Sequence, residues 1–132
     1  MTTNSRQKGK RGELEAAAEL RRLGFDGARR GQQFRGGPDS PDIADAIPGV
    51  HLEVKRTETL SVYKAMEQAE EDSRHTRTRI WADGHKTKVR WHDIPAVLHK
   101  RNRKDWLAVV RLDDLPEFCR RVLGAMEKSK HP

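Results

Sequence analysis

Apolar and polar positions alternate along residues 50–55. Val50, Leu52 and Val54 fall on one side of an extended chain, His51, Glu53 and Lys55 on the other. Residues 41–47 read as a second short strand, and Pro48-Gly49 marks the turn between them. A two-residue turn would set Asp42 opposite Lys55 and Ala44 opposite Glu53. Asp42, Glu53 and Lys55 would then converge on one hairpin face, and an extra loop residue would change the partners. A helical period over 13–23 gives the stripe Ala16, Ala17, Leu20 and Leu23, stopped by Gly24. Glu13 falls on that stripe, either at a frayed first turn where it favours the helix dipole or aimed inward at a site. A second helix is expected over 61–72, with Val62, Tyr63, Met66 and Ala69 as apolar positions. Two apolar strands follow at 94–99 and 106–112. The clearest helix spans 114–126, with Asp114 and Glu117 fitting a capping box. Leu115, Phe118, Cys119, Val122, Leu123 and Met126 form its stripe, which faces the sheet or a second subunit.

The segments between these elements are basic. Residues 1–12 hold Arg6, Lys8, Lys10 and Arg11 without an acid before Glu13. Two readings stand for residues 1–11: a flexible solvated tail, or an arm that grips phosphates. Residues 25–40 combine Arg29, Arg30 and Arg35 with Gly31, Gly36, Gly37 and Pro38, a composition that suits close backbone approach and phosphate contact, or an ordinary surface loop. Residues 73–92 are the least legible. They form either a nucleic-acid-binding stretch of cations and tryptophans, or a hairpin turning at Asp83-Gly84 with Trp81 and Trp91 packed. The turn 100–105 carries Lys100, Arg101, Arg103 and Lys104, and the tail 128–132 is expected to fray.

A chain of 132 residues suits a single domain with one core, although only 34% of it is hydrophobic and 36% is charged. Lysine and arginine exceed the acids by 27 to 20, a net charge of +7, which points to a polyanionic partner, most simply nucleic acid. With Cys119 as the single cysteine, no internal disulfide can form, and its place on an apolar stripe makes it a core residue. The histidines and the cysteine lack the paired spacing of a zinc site. No apolar run is long enough to span a membrane and the opening residues lack a signal-peptide centre, so a cytoplasmic protein is expected.

Glu53-Val54-Lys55 alone is commonly no more than a solvated ion pair. Asp42 at hairpin distance, Glu13 upstream and the basic surroundings favour a site. The order helix, hairpin, helix, two strands, helix, with Pro41-Asp42 and Glu53-Val54-Lys55 ten residues apart, resembles the PD-(D/E)xK nucleases. Gly9-Lys10-Arg11-Gly12-Glu13, Gly24-Phe25, Arg29-Arg30-Gly31, Pro41-Asp42-Ile43, Leu52-Glu53-Val54-Lys55, Tyr63 and Gln68-Ala69, with the strand pair near Asn102 and Trp106, are similar to the archaeal-type Holliday-junction resolvases and their phage relatives. Leu14 stands where archaeal members carry arginine, and 73–92 is longer than the family's connection.

The resemblance implies a restriction-endonuclease-like α/β fold, a small mixed central sheet flanked by helices. It implies hydrolysis of DNA phosphodiesters, paired cuts across a four-way junction, and a homodimer whose two sites match that symmetry. Phosphodiester hydrolysis suits a hard divalent cation, Mg²⁺ with Mn²⁺ as a substitute. Asp42 and Glu53 are its expected ligands, with the Val54 carbonyl and Glu13, the latter directly or through water. Lys55 is expected to orient or help deprotonate the attacking water. Expected DNA contacts are Lys8, Lys10, Arg11, Arg29, Arg30, Arg35, Gln68, Arg101 and Arg103, with Arg29 or Arg30 on the scissile phosphate. The alternatives are another branched-DNA or duplex nuclease of the same fold, a non-catalytic DNA-binding protein, and RNA binding by the basic arms, for which the sequence shows no aromatic-rich strand fingerprint.

Overall fold

The computed structural model describes residues 5–31 and 41–130. Expectations placed on 1–4, 32–40 and 131–132, Arg35 among them, lie outside the described residues. The elements in chain order are α1 (Ser5–Arg22), β1 (Arg29–Arg30), β2 (Ile43–Ala44), β3 (Val50–Arg56), α2 (Val62–Asp72), β4 (Arg74–Ile80), β5 (Lys86–His92), β6 (Ile94–Lys100), β7 (Leu107–Val110) and α3 (Leu115–Lys130).

Helix α1 starts well before the expected residue 13, so residues 5–11 are helix rather than a loose arm. Lysine, arginine, glutamate and alanine are strong helix formers, and their propensity outweighs Gly9 and Gly12. Gly12 is buried because α1 crosses β3 there: a Cβ on it would lie 2.7 Å from the Cβ of Arg56. The helix ends as expected at Gly24, whose φ is +111°. The Gly24 N–H donates to the Arg21 carbonyl at 3.1 Å and the Phe25 N–H to the Leu20 carbonyl at 3.0 Å, the paired bonds of a Schellman cap.

A five-stranded sheet has the order β1-β2-β3-β6-β7. Strands β3 and β6 run parallel from Val50↔Ile94 to Arg56↔Lys100, and the other pairs are antiparallel. A parallel pair needs a crossover, here supplied by α2 and the β4–β5 hairpin. Val50, Leu52, Ala96 and Leu98 pack with Ala16, Ala17 and Leu20 of α1 and with Ala125, Phe118, Val122 and Met126 of α3. Val97, on the opposite face, packs with Ala65, Met66 and Ala69 of α2. The molecule is therefore a mixed sheet between helical layers, with β3 covered on both faces and both edges.

Several expectations are corrected. Ile43 faces Leu52, so Asp42 stands level with Glu53 rather than Lys55, and Ala44 level with His51. The connection is five residues long. Pro48-Gly49 does make a type II turn, closed by the Val50 N–H on the Ile47 carbonyl at 3.1 Å with Gly49 at φ +80°. Such a turn does not match the twist of a tight hairpin, and the added residues absorb the mismatch. Val62 and Tyr63 are exposed, because α2 turns Ala65, Met66 and Ala69 inward instead. Cys119 is exposed too. Phe118, Val122 and Met126 make the inward row of α3, whereas Leu115, Cys119 and Leu123 line its outer side. Glu117 does not close a capping box: its carboxylate takes Arg120 at 2.6 Å and Arg121 at 3.0 Å, and a 3-10 turn at Leu112–Asp114 leads into the helix. The helix continues through Lys130, past the expected fraying point. Strands β4 and β5 do form a hairpin, with Trp81 and Trp91 39% and 46% exposed and stacked on neighbours within the hairpin rather than in the core.

Gly31 ties β1 to the segment carrying Asp42. Its N–H donates to the Asp42 carbonyl at 2.8 Å, and an added Cβ would sit 2.0 Å from the Pro41 carbonyl oxygen. Backbone at that distance has to move. Gly31→Ala is expected to cost about 1–3 kcal/mol of stability in urea denaturation, and a variant as stable as the parent would show that the close approach is not real.

Candidate active site

Glu53 lies in the middle of β3 and is 5% exposed. Alternation puts His51, Glu53 and Lys55 on the face that α2 covers, and each finds a partner there. His51 Nε2 lies 2.7 Å from Glu53 Oε1. Lys55 Nζ donates to Gln68 Oε1 of α2 at 3.2 Å. Asp72, at the end of α2, comes close enough that one ligand atom from each of His51, Glu53 and Asp72 lies within 4.8 Å of the others.

Asp42 enters from β2. The Val54 N–H donates to Asp42 Oδ2 at 2.8 Å, and the Asp42 N–H to the Leu52 carbonyl at 3.0 Å. These bonds fix the carboxyl beside Glu53. From α1 comes Glu13, half-buried, whose Oε2 accepts from Arg30 Nε at 2.6 Å. Glu13 is near enough to add its charge to the field on Asp42. The structure thus brings together Glu13, Asp42, Glu53, Val54 and Lys55.

The electrostatics follow from crowding. Burial, then the charges of Glu53 and Glu13, push the Asp42 carboxyl up to about 7, with the Val54 N–H working against the rise. Burial also acts to raise Glu53, but His51, the Asp42 hydroxyl and Lys55 together outweigh it, and Glu53 ends below its ordinary value. Asp72 is raised by burial and then by the charge of Glu53. The two neighbouring acids are thus shifted in opposite directions, Asp42 up and Glu53 down.

Searches of family models, curated proteins and solved structures found no match.

What the site can do follows from its donor atoms. Carboxylate oxygens of Asp42, Glu53 and Glu13 suit a hard divalent cation. The His51, Glu53 and Asp72 group adds an imidazole, a donor that Mn²⁺ or Zn²⁺ accepts more readily than Mg²⁺. His51 and Asp72 were not expected here. Alternation already placed His51 on the face of Glu53, whereas nothing local to residue 72 points to a strand twenty residues away.

The expected DNA contacts divide. Arg30 is at the acid cluster; Arg29 turns away to Asp45, 2.6 Å from its Oδ2. Lys8 lines a cleft of about 220 Å³ with Glu13, Val54, Lys55 and Arg56. Arg11 lines a neighbouring cleft of about 290 Å³ with Glu15, Arg56 and Asn102. Lys10, Arg101 and Arg103 are exposed, the last two in the β6–β7 turn. Gln68 is engaged by Lys55.

Because the native Asp42 carboxyl is raised above its ordinary value of 3.8 to about 7, it keeps a proton that the unfolded chain has already released. The unfolded state then binds fewer protons, so this group lowers the stability of the metal-free protein as pH rises from about 4 to about 7. Asp42→Asn stays neutral and can still accept from Val54. Its melting temperature relative to the parent is expected to rise by several degrees between pH 4 and pH 8 in EDTA, and a pH-independent difference would refute the raised value.

Proposed function

We propose that this protein is a Mg²⁺-dependent structure-specific endodeoxyribonuclease of restriction-endonuclease-like fold that resolves four-way DNA junctions. The observation that carries the reading is Asp42 held by the Val54 N–H beside Glu53, with Lys55 next on the same face of β3. Asp42 and Glu53 would hold the metal, with the Val54 carbonyl and Glu13 completing the set. When bound, the cation would relieve charge building on the phosphate and lower the pKa of a water. Lys55, which donates to Gln68 at 3.2 Å, would orient that water or take part in its deprotonation. Arg30, next to Glu13, is the candidate for the scissile phosphate. Lys8, Lys10, Arg11, Arg101 and Arg103 supply exposed positive charge for the DNA backbone. Mn²⁺ is expected to substitute for Mg²⁺, and the imidazole of His51 near Glu53 supports that tolerance.

Matched cuts in a nearly two-fold junction are met most simply by a homodimer with one site per protomer. Leu112, Leu115 and Leu123 remain exposed around α3 and are apolar enough to support pairing of two copies.

End-labelled four-way junctions and matched linear duplex, incubated with Mg²⁺ or EDTA, test the proposal. Paired symmetric nicks are expected on the junction alone, lost in EDTA. Glu53→Ala is expected to reduce cleavage by more than about 100-fold while junction affinity changes little, because binding comes mainly from cation–phosphate contacts. Normal turnover by that variant would sink the site assignment. Equal cutting of linear duplex would favour another nuclease of this fold, and tight binding without cutting would favour a DNA-binding protein.

A further inference from the structure

The β4–β5 hairpin pairs along its whole length, from Arg74↔His92 to Ile80↔Lys86, in a two-stranded sheet separate from the main one. It is about 20 Å long. Every residue from Thr76 to His92 is exposed, so no core explains the hairpin. It carries Arg74, Arg77, Arg79, Lys86, Lys88 and Arg90 against one acid, Asp83, which sits in the end turn and bonds its neighbour His85.

Its faces differ. The register puts His75, Arg77, Arg79, Thr87, Val89 and Trp91 on one side. These residues mostly satisfy one another. Trp91 stacks on His75 at 5.2 Å between centroids, and His75 Nε2 lies 2.9 Å from Asp93 Oδ2. Arg79 lies 4.0 Å over the ring of Trp81, which stacks on His85 and donates to Thr87 Oγ1 at 2.9 Å. Such stacking stiffens an isolated hairpin that would otherwise be marginal. The other side presents Arg74, Thr76, Thr78, Lys86, Lys88 and Arg90, with no acid among them. Arg74 reaches Glu70 only at 4.0 Å, and Lys86, Lys88 and Arg90 pair with no described acid.

We infer that this second face is a docking surface for duplex DNA, with Arg74, Lys86, Lys88 and Arg90 on the phosphates. A stiff two-stranded ribbon fits the major groove of B-form DNA, whereas the deep, narrow major groove of duplex RNA does not admit it. Charge decides against a second copy of this chain as occupant: the face is a ladder of like charges whose sole large apolar member is Ile80, and two such faces repel. Its root adjoins the candidate site. The Asp93 N–H donates to the carbonyl of buried Ser73 at 3.0 Å, and the residue before Ser73 is Asp72 of the acid cluster. The inference rests on the proposed nuclease reading in taking DNA as the polyanion, and it adds the surface that holds an arm of the substrate away from the cut.

Binding in EDTA separates it from catalysis. Affinity of the full chain for fluorescent duplex DNA, four-way DNA and duplex RNA is measured against salt for the parent, for Lys86→Ala/Lys88→Ala/Arg90→Ala, for Lys86→Arg/Lys88→Arg/Arg90→Lys, and for Arg77→Ala on the other face. The alanine triple variant is expected to bind at least about tenfold more weakly at moderate salt, with the slope of log K against log salt smaller by about 2–3. The charge-keeping triple variant and Arg77→Ala are expected to bind nearly as the parent does. Because the substituted residues are exposed, every variant is expected to keep the parent's melting temperature, which would separate weak binding from unfolding. An unchanged affinity and slope overturns the inference. So does a loss confined to duplex RNA, or a change of oligomeric state in the triple variant without DNA. Ribbon-dependent binding by a parent protein that does not cut junctions in Mg²⁺ would count against the nuclease reading and leave the ribbon standing.

Discussion

A charged carboxylate in the middle of a central strand is the constraint around which this molecule is built. Glu53 is surrounded by β2, β6 and α2, where an isolated charge would be very costly. Its neighbours share the task of keeping it ionised: an imidazole two residues back, an ammonium two residues on, and the proton of Asp42 beside it. Glu13 is balanced separately by Arg30. Each carboxylate has its own compensation, so the cluster tolerates three or four acids in a space where they would otherwise repel. A cation arriving there would take over part of that role.

The backbone serves the same end. Strands β1 and β2 are two residues each, so Asp42 lies just beyond the ladder, where its side chain can accept from the next strand. Gly12 and Gly31 allow α1 and β1 to approach β3 and Pro41 closely. Glu15 then fastens α1 to two strands at once, accepting from Arg56 at 3.2 Å and Lys100 at 3.0 Å. Position within the site is set by these packing contacts together with the hydrogen bonds that hold Asp42 and Glu13.

Much of this was legible in the chain. Period-two alternation put Glu53 and Lys55 on one face, and a proline-glycine turn placed Asp42 close by. The helical stripe included Glu13 but left open whether it lay at a frayed first turn or turned inward. The hairpin register slipped by two residues, which preserves the face, so the acids still met although the partners changed. What was hidden is instructive. Basic charge obscured the helix propensity of residues 5–11. On α2 and α3 the apolar residues outnumber what one inward row can hold, so Tyr63 and Cys119 were indistinguishable by pattern from Met66 and Phe118. Asp72 joined the cluster through tertiary packing, for which no local pattern exists.

The crossover between β3 and β6 has a consequence for how the chain reaches its native state. The pair Val50↔Ile94 joins residues 44 positions apart, and Glu15 meets Lys100 across 85. The β4–β5 hairpin lies inside that span and can close on its own within microseconds, as can the helices. The parallel pairing, by contrast, waits on the closure of a long loop, and such non-local contacts slow folding. The hairpin shortens that loop by joining Ser73 to Asp93 early. An exposed appendage with no core of its own would thus act as a staple during assembly, bringing the two halves of the central sheet within reach before the acids between them are buried.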